Sequence, residues 1–409
     1  MINFLKNIYH FCLAWLGSIL YRNPSREIFV LGVTGTKGKS TTVELINSIL
    51  ESEGKKTALL SSIRFKIDKS TEKNMTSMTM PGRFFIQKFL RKAVDAGCEY
   101  AIVEVTSQGI LQYRHRFIDW NAALFLNLHP EHIEAHGSFE KYRNSKVKFF
   151  ADAARYSKKK NKLFFINESN PNYQYFVDAI HECLKTSCGP GDCRCGFAVY
   201  FSRENFIDKE LNKGKERIGD WLANDFNLEN AAAASSFAVS QGIRWPAIKK
   251  ALSSFKGVPG RMEVVQEVPF KIVIDYAHTP DSLEKVYKTL NTAKLICVLG
   301  AAGGGRDKWK RREMGKIASE YCQEIILTNE DPYDEDPSKI LLDIKSGIKD
   351  IKVYEVIDRR EAIKKAVGLA KKGDTVIITG KGSEGWMHIA GGKKIPWNER
   401  KAVEESLNH

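Results

Sequence analysis

A chain of 409 residues has room for two or three domains, each with its own core. Its 43% hydrophobic and 27% charged residues describe an ordinary globular composition and exclude a disordered or fibrous protein. The net charge of +14 suits an anionic partner such as a phosphorylated substrate or an anionic membrane surface, or simply keeps the chain soluble; with no arginine-rich arm or base-stacking motif, no nucleic-acid partner is expected.

Residues 2–21 are rich in Leu, Ile, Phe and Trp. Phe4, Ile8, Phe11, Trp15 and Ile19, with Leu5, Cys12 and Leu16, recur at helical spacing and predict an amphipathic helix. Such a helix either packs on the body of the protein or makes a peripheral membrane contact. Lys6, Asn7 and His10 interrupt the run of about 20 apolar residues that a span requires. Pro24 and Ser25 end it. A buried strand over 27–33, a glycine loop and a helix over 41–52 follow. A helix over 84–96 and strands over 98–105, 122–127 and 163–167 continue an alternation that predicts an α/β fold with a mostly parallel, doubly wound sheet. The pattern weakens over 158–220, read as a cysteine-containing insertion, and a helix over 225–238 follows. Lys256-Gly-Val-Pro-Gly260 marks a domain boundary. Beyond it, strands over 271–275, 295–299, 324–328 and 375–379 alternate with helices over 282–290, 312–321 and 360–370, a second, Rossmann-like α/β domain. The expected pieces are 1–26, 27–257 and 258–409.

Eight cysteines are scattered, apart from Cys183, Cys188, Cys193 and Cys195 near His181. One pair is a single residue apart, which is not the usual zinc spacing, so zinc and reduced surface cysteines both stay open. With no signal peptide evident, a reducing cytoplasm is expected, and a disulfide is not.

The loop from Gly32 to Ser40 carries the clearest chemistry. Glycine-exposed N–H groups at Gly35, Thr36, Lys37 and Gly38, with the following helix N-terminus, can wrap the phosphates of a nucleoside triphosphate, read as ATP. Lys39 is placed for the β/γ phosphates, and the Ser40 or Thr41 hydroxyl for Mg²⁺. Position 33 holds valine where the common spacing has glycine, so the loop is a variant.

That variant, Gly35-Thr-Lys-Gly-Lys-Ser-Thr41, resembles the loop of the Mur ligases, the ATP-dependent peptide-bond formers of cell-wall precursor synthesis. Residues 104–114, 127–137, 225–230, 259–263, 275–280, 303–308, 380–384 and 395–400 resemble further family segments, in the family's order. The resemblance is closest to the MurE branch. It implies a central P-loop ATPase domain and a C-terminal Mur ligase domain. It also implies ATP, Mg²⁺, a UDP-muramoyl peptide or related acceptor, and an amino acid. Glu104 and His132 would hold metal with Ser40, and Lys146, carbamylated, would join them. Asn227, Asn230, Arg261, Asp275 and His278 fall in nucleotide-side segments. Ser107, Arg114, Arg306, Asp331, Gly380 and Glu384 match substrate-binding positions.

The chain also departs from that pattern. Glu330-Asp-Pro-Tyr333 puts tyrosine where diaminopimelate-adding enzymes present an arginine fork. Asp331, Asp334, Glu335 and Asp336 make the same loop acidic, which would suit a cationic side chain or be solvated. Gln108 and Ser383 replace usual histidines. About 30 residues precede the loop, where the branch has a uridine-nucleotide domain of about a hundred residues. A lipid-linked or polyglutamate-type acceptor, or a non-catalytic ATP-binding role, therefore stays open.

Overall fold

The computed structural model describes all residues except 1, 77, 132, 188–195, 213–217, 223–224, 291–293 and 409, and the side chains of 2–6, 186–187 and 220. The chain forms two compact units, Met1–Lys256 and Gly257–His409.

Unit 1 is built on strands β1 (Phe29–Thr34), β2 (Thr57–Leu60), β3 (Arg64–Ile67), β4 (Ser70–Lys73), β5 (Tyr100–Glu104), β6 (Ala122–Phe125), β7 (Leu163–Asn167) and β8 (Phe197–Phe201). They form one sheet in the order β4-β3-β2-β5-β1-β6-β7-β8, parallel except at β3 and β4. Helices in chain order are α1 (Ile2–Leu20), α2 (Lys39–Ser52), α3 (Arg83–Asp95), α4 (Ser107–Leu111), α5 (Ile133–His136), α6 (Phe139–Tyr156), α7 (Tyr173–Ser187), α8 (Arg203–Asn205), α9 (Asp225–Ser240) and α10 (Trp245–Ser254). The central strands are apolar except at their ends, where β1 closes on Thr34 and β5 on Glu104, because both faces are covered. Val30, Ala101, Val103, Ala123 and Phe125 point to one core with Phe89 of α3 and Phe149 of α6. Their neighbours Leu31, Ile102 and Leu124 point to the other, with Ile46 of α2 and Phe237 of α9. Gly32 in β1 is required by close packing, since a Cβ there would lie 2.5 Å from the Phe149 ring.

The stretch over 158–220 is less of an insertion than its pattern suggests, because β7 and β8 extend the sheet in parallel. The predicted N-terminal helix forms as α1 and packs on α3, where Gly17 lies against Phe84 and Gln87. Among the described residues, no helix is long and apolar enough to cross a membrane.

Unit 2 has strands β9 (Glu263–Gln266), β10 (Lys271–Asp275), β11 (Leu295–Leu299), β12 (Glu324–Leu327), β13 (Lys352–Glu355) and β14 (Thr375–Thr379) in the order β13-β12-β11-β14-β10-β9. Only β9 runs antiparallel. A short hairpin, β15 (Trp386–His388) and β16 (Lys394–Pro396), follows. Arg359 and Glu399, both fully buried, form an ion pair in this unit, and the Trp397 indole also donates to Glu399. Cys297 of β11 and Cys322, just before β12, form a disulfide, contrary to the expectation of reduced cysteines throughout. They are 25 residues apart, and the parallel β11–β12 pairing brings their Cα atoms to 6.1 Å.

Candidate functional site

The C-terminal ends of β1, β2, β5 and β6 lie side by side, the edge where parallel sheets place their ligand sites. The glycine loop leaves β1 there and enters α2 through Gly38, whose φ of 81° is left-handed. A Cβ at Gly38 would also sit 2.1 Å from Asn230 Oδ1, so glycine is needed twice over. Asn127, just after β6, fixes the loop: its carbonyl accepts from Thr36 N and its Oδ1 from Lys37 N, both at 2.9 Å. Lys39 Nζ folds back to donate to the Gly35 and Thr36 carbonyls at 3.0 Å each, and the Lys37 ammonium pairs with Glu131 at 2.9 Å.

Lys146 joins this cluster from α6. Its Nζ donates to the Gly35 carbonyl at 2.9 Å and lies over the Tyr142 ring, whose hydroxyl is 3.1 Å from Thr36 Oγ1. Burial, then the neighbouring Lys39 charge, pulls the Lys146 amine well below the usual lysine range, with Glu131 opposing. A neutral, buried amine is the form that can add CO₂. Lys148, two residues on, faces away and pairs with Asp152 at 2.9 Å, so it is no rival for this position.

Glu104 ends β5 and is buried. Its Oε1 is 3.5 Å from Ser62 Oγ, which lies 2.9 Å from Ser40 Oγ. Three oxygen-bearing side chains thus converge beside the loop, a donor set that fits Mg²⁺. Ser62 had no signal in the sequence, because the short strand before it went unrecognised. His132 lies outside the described residues, and among those described no group of three or more His, Cys, Asp and Glu residues could hold a metal. Cys188, Cys193 and Cys195 are also outside them. Cys183 is buried in the core, while His181 is exposed, so these two do not form half of a site.

On the other side of the loop, Ser107 opens α4 and its hydroxyl is 3.1 Å from His136 Nε2. Burial, with Lys146 adding to it, holds His136 below the ordinary histidine range and so neutral. His136 stands in the family-like segment 127–137 but was not singled out there. Arg114 donates to the Met80 carbonyl and, at 2.6 Å, to Gln112. Asn227 donates to the Trp221 carbonyl at 2.8 Å, and Asn230 accepts from Thr42 at 3.1 Å, so neither side chain is engaged in capping α9. Thr41 is buried at the first turn of α2.

Unit 2 gathers its own set. Lys381, buried, bridges Asp331 at 2.9 Å and Glu384 at 2.5 Å, and Tyr276 donates to Glu384 at 2.9 Å. Burial acts against the Lys381 charge, yet Glu384 and Asp331 hold it above its ordinary range. Arg306 is paired with Tyr333, whose ring stacks on His388 at 4.9 Å. Gly380 has a φ of 107°, and a Cβ there would lie 2.7 Å from Glu330 Oε2. Arg261 stacks on the Tyr276 ring at 4.2 Å, Asp275 accepts from Met262 N and Ala277 N, and His278 Nδ1 meets the Tyr276 carbonyl at 2.8 Å.

The acidic loop is not a free cation site. Asp331 is held by Lys381 and His388 N, Asp334 accepts from Gly391 N, Glu335 pairs with Arg311, and Asp336 caps the helix Pro337–Lys345. The carboxylates satisfy local backbone and cations instead. Glu330 is the exception: its Oε2 finds no hydrogen-bond partner among the described residues, and burial, opposed by the Lys381, Lys310 and Arg359 charges, pushes its pKa up to about 6. The folded state therefore holds a proton that the unfolded chain releases near 4.5, and stability is lost as pH rises through that window. Glu330→Gln is expected to remove this loss, about 2 kcal/mol at pH 8. Urea unfolding of both proteins at pH 4 and pH 8 checks it; equal pH dependence would refute it.

Comparison with known proteins agrees with this arrangement. The Mur ligase middle domain matches residues 33–238, and the Mur ligase, glutamate ligase domain matches residues 260–382. A UDP-N-acetylmuramoyl-L-alanyl-D-glutamate–2,6-diaminopimelate ligase of Aquifex aeolicus is 38% identical over 95% of this chain and 79% of its own length. A UDP-N-acetylmuramyl-tripeptide synthetase of Roseiflexus is 32% identical over 97% of this chain and 81% of its own. The solved structure of a diaminopimelate ligase superposes with a TM-score of 0.56 at 27% identity, covering 93% of this chain and 78% of that one. A folylpolyglutamate synthase from Mycobacterium tuberculosis, at 14% identity and a TM-score of 0.66 over 90% of this chain and 92% of its own, shares the fold. With the phosphate loop, its buried lysine and both domain matches in one chain, this protein belongs to the Mur ligase family.

Proposed function

We propose that the chain is an ATP-dependent amide ligase of peptidoglycan precursor synthesis that activates a peptide carboxylate and joins it to an amino acid. The observation that carries this reading is the Gly35 carbonyl receiving both Lys39 and the buried Lys146 beside the phosphate loop. A loop that only held nucleotide would have no use for a second, buried lysine on the same carbonyl. ATP would lie with its phosphates on 35–41. An acceptor carboxylate oxygen attacks the γ-phosphorus, ADP leaves, and an acyl phosphate remains. The amine then attacks the acyl carbon, loses a proton, and phosphate departs. Charge builds on phosphoryl oxygens in the first step, where Lys39 is placed to stabilise it.

Mg²⁺ would be held by Glu104 and Ser40, with His132 and a carbamate on Lys146 as further ligands, and would neutralise phosphate charge. Asn227 and Asn230 would lie on the adenine side, and Arg261, Asp275 and His278 match nucleotide-binding segments of the family. Ser107 and Arg114 would contact the acceptor, a UDP-muramoyl peptide or a related carboxylate. Arg306, Asp331, Gly380 and Glu384 would receive the amino acid. Tyr333 offers no guanidinium to a distal carboxylate, which argues against diaminopimelate as the preferred amine. Residues 2–21 would give the chain a peripheral membrane contact, independent of turnover in the cytoplasm.

The acyl phosphate makes a specific prediction. With oxygen-18 in the acceptor carboxylate, one label per turnover is expected in the released phosphate, read by mass spectrometry. Phosphate free of label would refute carboxylate activation.

A further inference from the structure

Helix α1 is amphipathic in the reverse of the usual sense. Its water-facing side carries Ile8, Tyr9, Trp15, Leu16, Ile19 and Leu20, with Trp15 51% exposed and Leu20 61%. The side turned to the protein is small: Ala14, Gly17 and Ser18 are buried, and Gly17 sits against α3. Between residues 8 and 20 the only ionisable polar side chain other than tyrosine and cysteine is His10, and it is half-buried. A surface helix ordinarily turns its charged side to water. A contiguous apolar face of this kind marks an interaction surface.

The surroundings indicate what covers it. Residues 1–26 include Lys6, Arg22 and Arg26 and no Asp or Glu, although Arg26 pairs with Asp119 and the next residue, Glu27, pairs with Arg91. Helix α3 carries four cations, Arg83, Lys88, Arg91 and Lys92, and one acid, Asp95, which with Glu27 pairs with Arg91. Lys88 and Lys92 of that set are exposed one turn apart. Phe11 completes the face at its edge, with the Arg116 guanidinium 5.8 Å above its ring and Tyr113 and Phe117 in edge contact. An apolar strip with exposed Trp and Tyr and a flank of cations is the pattern of a helix lying in the plane of a lipid interface, its rings at headgroup level. The cationic flank adds attraction to negative headgroups that a neutral bilayer lacks.

We infer that α1 and the cationic flank of α3 form a docking surface for an anionic phospholipid bilayer, with α1 lying in the interface and its small face on the protein. The inference rests on the membrane contact proposed for residues 2–21 and adds its lipid class and its second element. The test is flotation of the full chain with vesicles of phosphatidylcholine alone and of phosphatidylcholine mixed with phosphatidylglycerol. Mixed vesicles are expected to carry roughly tenfold more protein than neutral ones, and raised salt to release it. Trp15→Ser/Leu16→Ser/Ile19→Ser should abolish flotation while leaving acceptor-dependent phosphate release unchanged. Lys88→Glu/Lys92→Glu should weaken binding to mixed vesicles only. Equal binding to both vesicles would overturn the lipid class while leaving the contact of residues 2–21 standing. Flotation with neither would overturn both. A dimer in sedimentation velocity that the triple substitution dissolves, without vesicle binding, would assign the face to a second copy of the chain instead.

Discussion

Lys39→Met is expected to lower acceptor-dependent phosphate release by about a thousandfold, a loss of about 4 kcal/mol in transition-state stabilisation. The side chain stands at the first position of α2, and its ammonium rests on the Gly35 and Thr36 carbonyls. Both carbonyls belong to the loop itself, so the group is held within reach of whatever the loop wraps. Methionine keeps the length and the apolar stem but supplies no charge to developing phosphoryl oxygens. The loss should fall mainly on kcat, because the backbone N–H cradle remains. A variant that retains wild-type kcat would remove Lys39 from the chemistry.

Lys146→Ala is expected to cost between about a hundredfold and a thousandfold. Lys146→Arg should fail equally, since a guanidinium stays cationic and cannot carry a carbamate. Depleting CO₂ from the wild-type protein should depress the rate, bicarbonate should restore it, and neither variant should respond. Lys148→Ala is the matched control: its ammonium pairs with Asp152 at 2.9 Å on the far side of α6, and its loss should leave the rate nearly unchanged. A wild-type rate indifferent to CO₂ would refute the carbamate.

Much of the fold was legible because its central strands are buried on both faces. β11 is apolar throughout and β7, β10 and β14 have apolar centres with polar residues only at their ends, and the spans expected from sequence match the observed ones. What escaped were chiefly edges, and with them the short interior strand β2, whose four buried residues are too few to show a pattern. β4, Ser70–Lys73, is exposed at every position, and β13, Lys352–Glu355, is only half-buried at its centre. Without a buried face there is no period for a pattern to report. The site divides in the same way. The loop and Glu104 stood at strand ends that could be located, whereas Ser62 follows a strand that could not. Lys146 and Lys148 are alike in sequence, and only the rotation of α6 separates the one on the loop from the one on Asp152. The acidic loop misled for a different reason. Net charge says nothing of local partners, and here backbone N–H groups, Lys381 and Arg311 take up the carboxylates.

The most direct test of the ligase reading is a phosphate-release assay on the full chain with ATP, Mg²⁺, a UDP-muramoyl dipeptide and a panel of amino acids that includes lysine, ornithine and diaminopimelate, with the products weighed by mass spectrometry. The account predicts release that requires both acceptor and amine, one phosphate and one ADP per turnover, and a product heavier by the amino acid less one water. No turnover with any amino acid on the panel, but turnover with a different class of carboxylate, would contradict it.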